Sequence, residues 1–226
     1  MDNIVKTVGE ILGYAIGALT LYFLWYIKEK IKKHPDTIAK NDVKVYRSIY
    51  EQLSILFATG ADRVYILEFH NGTDFSSSIL QWKLSCTYEL VRNGISRMQD
   101  QLQNIKASSI ADYLETFYSE KDEMLLDGVK RATACRLCTQ CERKCTYSFD
   151  IENMEENHLS AMLKMQGIYG MYQVGIRNGK GSLVGILGLD YCKKDHWDLI
   201  KDDEVEIPHK LKEVSLQIST IWEKTK

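Results

Sequence analysis

The chain has 226 residues, and its 29 basic and 31 acidic side chains leave a formal net charge of −2. That length holds one ordinary domain and an appendage. The near-balance of charge lacks the basic excess that tracks a phosphate backbone, so nucleic acid is not an expected partner. With two prolines, Pro35 and Pro208, and no Ser/Gly-rich linker, long disordered segments are not expected either.

Ile11 to Ile27 (ILGYAIGALTLYFLWYI) carries no charge over about 17 residues, the lower limit for a helix crossing a hydrocarbon core of about 30 Å. The expectation is a transmembrane helix in an N-terminal anchor and basic flank spanning residues 1–35. A buried core helix or an interfacial anchor is the alternative. Tyr22, Trp25 and Tyr26 gather at one end, where amphipathic rings prefer the headgroup level, and Gly13 and Gly17 form a small-xxx-small pair. Lys28, Lys30, Lys32 and Lys33 follow the apolar run, whereas only Lys6 precedes it. Cytoplasmic flanks carry the lysine excess, so the expected location is a single-pass membrane protein with its C-terminal domain in the cytoplasm. No small-residue cleavage site follows the run, which makes it an uncleaved anchor.

The remainder, residues 36–226, reads as one α+β domain. Asp36 can cap a helix in which Val45, Ile49, Leu53 and Leu56 recur at helical spacing up to Gly60. Arg63 to Gly72 (RVYILEFHNG) is β-branched and aromatic, a strand leading into a turn, and Ile79 to Val91 alternates as its antiparallel partner across a loop at Asn71 to Ser78. Asn93-Gly94 marks the next turn. The pattern from Ile95 to Gly128 is weaker, with a helix at Ser109 to Phe117; another helix is expected at Glu155 to Met165. Met171 to Ile176 and Leu183 to Tyr191 form a hairpin around Asn178 to Gly181, and Gly185 and Gly188 in its second strand suggest a helix or ligand close to the backbone. Beyond Asp202, Leu211, Val214, Ile218, Ile221 and Trp222 recur as a terminal helix, under which Trp197 is expected to pack. The fold class is an antiparallel sheet with helices on both faces and a pocket under the long middle segment.

Cys135, Cys138, Cys141 and Cys145 (CRLCTQCERKC), in an insertion at about 130–150, lie at spacings that let a turn direct several thiolates at one metal. Zinc is the first expectation; an iron-sulfur cluster, disulfides or reactive thiols are alternatives. A ferredoxin places proline after its last cysteine, whereas Thr146 follows Cys145 here. Cys86 and Cys192 fall in predicted strands and read as buried small hydrophobes.

Candidate ligand-binding residues sit at strand ends: Glu68, His70 and Asn71 at the first strand, Asp190 and Tyr191 at the last, with His196 and Trp197 beyond. His70 can meet an anion or a metal with Glu68 nearby, or can cap the loop together with Asn71. No phosphate-cradling glycine loop, hydrolase elbow or HExxH pattern occurs, and Glu155-Glu156 and Asp202-Asp203 read as helix starts, so no catalytic residue and no enzyme are expected.

The hairpin GIYGMYQVGIRNGKGSLVGILGLDY and the strand GADRVYILEFHNG resemble the last two core strands and the first strand of the GAF family of sensory domains, over about Asp36 to Lys226. The resemblance implies a small-molecule ligand (a cyclic nucleotide, tetrapyrrole, metabolite or redox cofactor) between sheet and middle segment. It also implies a homodimer or higher oligomer formed through the first and last helices. A sensor of this kind is expected to signal through a protein partner or through its own membrane helix. A second resemblance, to T-even-type phage holins, rests on Glu51-Gln-Leu53, Ala61-Asp62, Val64-Tyr65, Met171-Tyr172 and the helical tail. It implies a membrane-permeabilising lysis protein with the domain outside the cytoplasm, which the lysine flank opposes. A structural adaptor that binds another protein is the third reading.

Overall fold

The computed structural model describes residues 17–26, 35–74, 80–118, 128–131, 146–203 and 205–225. The chain divides into two compact units, Met1–Tyr46 and Arg47–Lys226. In the first unit a helix, α1, covers residues 17–26, and its apolar side chains are exposed, from 44% at Tyr26 to 70% at Leu21. Of the expected membrane span, residues 11–16 and 27 lie outside the described residues, as do the flanking lysines from Lys28 to Lys33. Among the described residues no helix is long and apolar enough to cross a membrane. The second helix, α2 (Pro35–Phe57), starts in this unit and ends in the next.

Seven described strands form one sheet in the second unit: β1 (Arg63–Asp74), β2 (Leu80–Val91), β3 (Ile105–Lys106), β4 (Val129–Arg131), β5 (Thr146–Asp150), β6 (Gly170–Arg177) and β7 (Leu183–Tyr191). Their order is β3-β2-β1-β7-β6-β5-β4, and every neighbouring pair is antiparallel. The first strand of the sequence is therefore central, zipped on one side to β2 and on the other to the final strand. The α+β class and the antiparallel sheet agree with the expectation from sequence.

Alternation along the strands gives the sheet two apolar faces. Tyr65 and Leu67 of β1 share the inner face with Ile186, Met171, Tyr147 and Phe149, and this face packs under α3 (Ala111–Tyr118) and α4 (His158–Met165) through Tyr113, Leu114, Phe117 and Leu163. The opposite phase, with Val64, Ile66, Leu187 and Leu189, is equally buried. There Ile49, Leu53 and Leu56 of α2 and Leu211, Val214 and Ile218 of α6 (Glu206–Lys224) are withdrawn from water, and α6 lies over β6 and β5. Trp197 belongs to a short helix, α5 (Lys194–Ile200), and packs on Tyr172 and Tyr191; a Cβ at Gly170 would fall 2.2 Å from its ring.

Three elements depart from the sequence expectation. The first strand runs on to Asp74, past the Asn71-Gly72 turn signal, because it stays paired with β2 up to Leu80. Helix α4 starts at His158 and not at Glu155, because Asn157 caps it: Asn157 Oδ1 accepts from Ser160 N at 2.9 Å while Ser160 Oγ accepts from Asn157 N at 3.0 Å. Strands β4 and β5, at the two edges of the cysteine-rich insertion, have no counterpart in the sequence reading. Their connection, residues 132–145, carries Cys135, Cys138, Cys141 and Cys145, and all four lie outside the described residues. Arg131 pairs with Tyr147, so the two ends of this connection lie side by side.

Candidate functional site

The inner sheet face is apolar except at one place, where β1, β2, β6 and β7 each contribute a polar side chain. Arg63, at the start of β1, is 1% exposed, and Arg63 NH1 donates to Asp190 Oδ2 at 2.7 Å, while its Nε lies 3.5 Å from Glu89 Oε1. Arg63 NH2 donates to the Ser96 carbonyl at 3.0 Å. Glu89 is further satisfied by the backbone N–H groups of Met98 at 2.8 Å and Gln99 at 3.4 Å. One guanidinium thus serves two carboxylates.

Beside it runs a second polar chain. Tyr113 on α3 donates to Gln173 Oε1 at 2.7 Å, Gln173 Nε2 donates to the Tyr65 hydroxyl at 2.6 Å, and that hydroxyl points to Met171 Sδ at 4.0 Å, a weak acceptor. Glycine makes this possible at 188: a Cβ there would stand 2.3 Å from Tyr65 Cζ, so the ring occupies the space of the missing side chain. The sequence reading that a helix or a ligand approaches the glycines is thereby refined. Gly185 lies under Trp222 of α6 and against the Leu67 carbonyl, and Gly188 lies under Tyr65.

Tyr65, Tyr113, Gln173 and Asp190 form the floor of a small, partly open cavity of about 50 Å³ whose walls are Leu102, Ile105, Ile110, Leu159, Met162 and Ile168, joined by the polar Gln166. Burial pushes the Asp190 carboxyl up to about 6, against the Arg63 guanidinium, which pulls it back down. Burial likewise raises Tyr65 and Tyr113 above the ordinary phenol range, so both remain donors at neutral pH. Asp190 Oδ1 has no hydrogen-bond partner among the described residues, which is costly for a carboxylate 2% exposed. A larger cavity of about 170 Å³, lined by Ser108, Ser109, Asp112 and Asn157, adjoins the first and shares Ile110, Tyr113, Leu159 and Met162 with it.

Of the five residues expected at a ligand site, the four with described side chains do not converge. Asp190 lies on the inner face, but Tyr191 packs on the outer face against Tyr172 and Trp197, since adjacent strand residues point to opposite sides. Glu68 pairs with Gly185 whereas Arg63 pairs with Asp190, which puts Glu68 roughly 17 Å along the strand from the Asp190 floor. Glu68 accepts from the Thr87 hydroxyl at 2.5 Å, and burial raises its carboxyl. His70 Nε2 is bonded to Ser85 Oγ at 2.8 Å. Asn71 lies within β1, and its side chain is outside the described set. His196 Nδ1 is held by the buried carboxylate of Asp62 at 2.9 Å, which also accepts from Cys192 N and Lys193 N and so ties the start of β1 to α5.

Cys86 is buried and Cys192 half-buried, and burial pushes both thiols up to about 12, away from reactivity. Among the described residues no group of three or more His, Cys, Asp or Glu side chains is placed to hold a metal. Sequence reasoning passed over Arg63, Glu89 and Gln173. The available signal was Gln173 itself, a polar residue in the otherwise apolar, fully buried run Gly170 to Ile176.

No protein-family model and no curated protein matches the chain. Among solved structures it is similar to the blue-light-absorbing form of the Thermosynechococcus elongatus PixJ GAF domain, at 14% identity and a TM-score of 0.42 over 80% of this chain and 92% of that one. It is similar also to the photoproduct state of GAF3 from Slr1393 of Synechocystis, at 10% and 0.43 over 80% and 97%. A third is the phycoerythrobilin-bound GAF domain of a cyanobacterial phytochrome, at 11% and 0.41 over 84% and 97%.

Proposed function

We propose that this chain is a membrane-anchored, non-enzymatic sensory domain of the GAF-like kind, which takes a small molecule between the inner sheet face and α3 and α4. The observation that carries this reading is the polar floor Tyr65–Gln173–Tyr113, set with Asp190 at the base of a cavity whose walls are mostly apolar. A core stabilised by packing alone has no use for a buried carboxylate with one oxygen left without a hydrogen bond, whereas a ligand site places a few polar groups on an apolar wall. The sequence resemblance to GAF domains supports the same location for the ligand. As it stands the cavity has room for water only, so binding requires α4 and the turn Ala107–Ile110 to shift outward.

The test is to purify the full chain from cells and analyse by mass spectrometry the small molecules released on denaturation, in parallel with a Gln173→Leu variant. A compound released by the parent chain and lost from the variant supports the reading. If no compound co-purifies and no fraction of a cell extract raises the melting temperature of the parent chain, the sensory reading is abandoned.

Two further parts belong to the proposal. The exposed apolar side chains of α1 and the uncharged run around it support a membrane anchor, with the lysine flank favouring a cytoplasmic domain. The four-cysteine connection, whose ends are brought together by the pairing of Arg131 with Tyr147, is suited to hold zinc.

A further inference from the structure

The floor of the cavity has unused acceptor capacity and too few cations. Of the hydrogen bonds available there, Tyr113 and Gln173 donate within the polar chain, the Tyr65 hydroxyl lies between the Met171 thioether and the Asp190 carboxylate, and Arg63 donates to Asp190 and Ser96 while its Nε faces Glu89 at 3.5 Å. What is left over is a donor, Arg63 Nε, which does not line the cavity, and an acceptor, Asp190 Oδ1, on a residue that does. Charge leads to the same place: among the described residues Arg63 is the cation paired with either carboxylate, and it faces both Asp190 and Glu89. Ionised together, the three leave one negative charge unmatched in a setting where charge is weakly screened.

The walls add the rest of the description. Leu102, Ile105, Ile110, Leu159 and Met162 offer nothing polar to a ligand's body, and Gln166 is a polar residue beside them. Beyond the shared wall the adjoining cavity presents a further carboxylate, Asp112.

On these grounds, and resting on the ligand-site reading above, we propose that the pocket takes a small organic cation: an apolar body carrying at least one N–H, with its nitrogen donating to Asp190 Oδ1. An anionic ligand meets the Asp190 carboxylate there, with Glu89 beyond it on Arg63, and a neutral hydroxyl leaves the charge unmatched. The cation pairs with Asp190 on the side opposite Arg63, and its body extends past Ile110 and Leu159 toward Ser108 and Asp112. A charge-assisted hydrogen bond at a buried site is expected to favour the cation over a neutral isostere by about tenfold or more.

The test uses the full chain in a neutral detergent at neutral pH, with isotope-labelled methionine methyl groups, because Met162 and Met171 line the cavity. Benzylamine, benzyl alcohol and benzoate are the probes, alike in size and differing in charge. The expected result is saturable movement of the Met162 and Met171 signals with benzylamine, at least about tenfold weaker binding of benzyl alcohol, and none of benzoate. In Asp190→Asn the amine loses its advantage while the alcohol still binds. Equal binding of amine and alcohol by the parent chain overturns the cation assignment and leaves the pocket standing, as does an amine preference that survives in Asp190→Asn. Failure of all three probes to move either methionine signal overturns the pocket together with the assignment. The comparison of probes on the parent chain decides the matter even where the variant does not fold.

Discussion

Arg63 and Asp190 stand opposite each other across the central pair β1 and β7, joined at 2.7 Å with side chains only 2% and 3% exposed. Removal of one partner of a buried pair strands the other, at a cost of about 3–5 kcal/mol. Arg63→Met, which keeps most of the side-chain volume, strands two carboxylates and is expected to lose that much in urea unfolding of the full chain. A loss below about 1 kcal/mol, the ordinary value of an exposed pair, would show that the cluster is solvated and not buried beneath the site.

Stability should carry a pH signature of Asp190. Its folded pKa is raised from 3.8 to about 6, so the folded state holds the proton more tightly than the unfolded state does. The resulting stabilisation is complete below 3.8 and is lost as the pH rises through about 6. The groups facing this carboxyl are Arg63 and Tyr65 on β1, Glu89 on β2 and Tyr113 on α3, with Cys86 and Cys192 farther off. Measured against Asp190→Asn, the parent chain is expected to lose stability steadily between those two pH values and to show a flat difference above neutrality. A difference that grows with rising pH means that Arg63 outweighs burial.

Gly188→Ala drives a methyl group into the Tyr65 ring, which lies 2.3 Å from the position of the added carbon. Overpacking of this kind costs about 1–3 kcal/mol. The displaced ring also releases Gln173, so ligand binding should fall with stability. Tyr65→Leu, which removes the ring, is expected to make Gly188→Ala nearly silent. That coupling is read from a double-mutant cycle in urea. Additive effects of the two substitutions would sink the account of Gly188.

Chelation tests the cysteine connection. A zinc-bearing link between β4 and β5 releases about one equivalent of metal on denaturation and makes the melting temperature fall in a strong chelator. Changing Cys135 and Cys138 together to serine should reproduce both effects. A metal-free chain whose melting temperature ignores the chelator removes zinc from the proposal and leaves the ligand pocket untouched.

Topology is checked with a reporter fused at Lys226 that is active only in the cytoplasm. Activity, together with resistance of the chain to extraction from membranes by alkaline carbonate, is the expected outcome. A reporter active only outside the cytoplasm reverses the reading of the lysine flank and makes disulfides the natural state of the cysteine connection.

The sequence was most informative where a local rule acts alone. β-branched and aromatic composition identified β1, alternation identified β2, and Asn178 to Gly181 announced the hairpin of β6 and β7, the turn that sets the register of Arg177 against Leu183. Helical spacing of Ile49, Leu53 and Leu56, and of Leu211, Val214 and Ile218, identified the two helices whose apolar stripes are buried. Two-residue and three-residue strands such as β3 and β4 were beyond such reading, because so short a segment has no period and exists only through its neighbour in the sheet.

The candidate site belongs to the tertiary structure. Of its polar members the sequence alone singled out Asp190, and it joined Asp190 to Tyr191, which alternation sends to the other face. Arg63, Glu89, Gln173 and Asp190 come from four strands, and Tyr113 comes from a helix. They meet because β1 is central and its neighbours in the sheet are β2 and β7, a pairing order that no local pattern encodes. Composition and periodicity decide which residues leave water. Which of those residues face one another, and whether a buried carboxylate finds all its partners, is decided by long-range strand pairing.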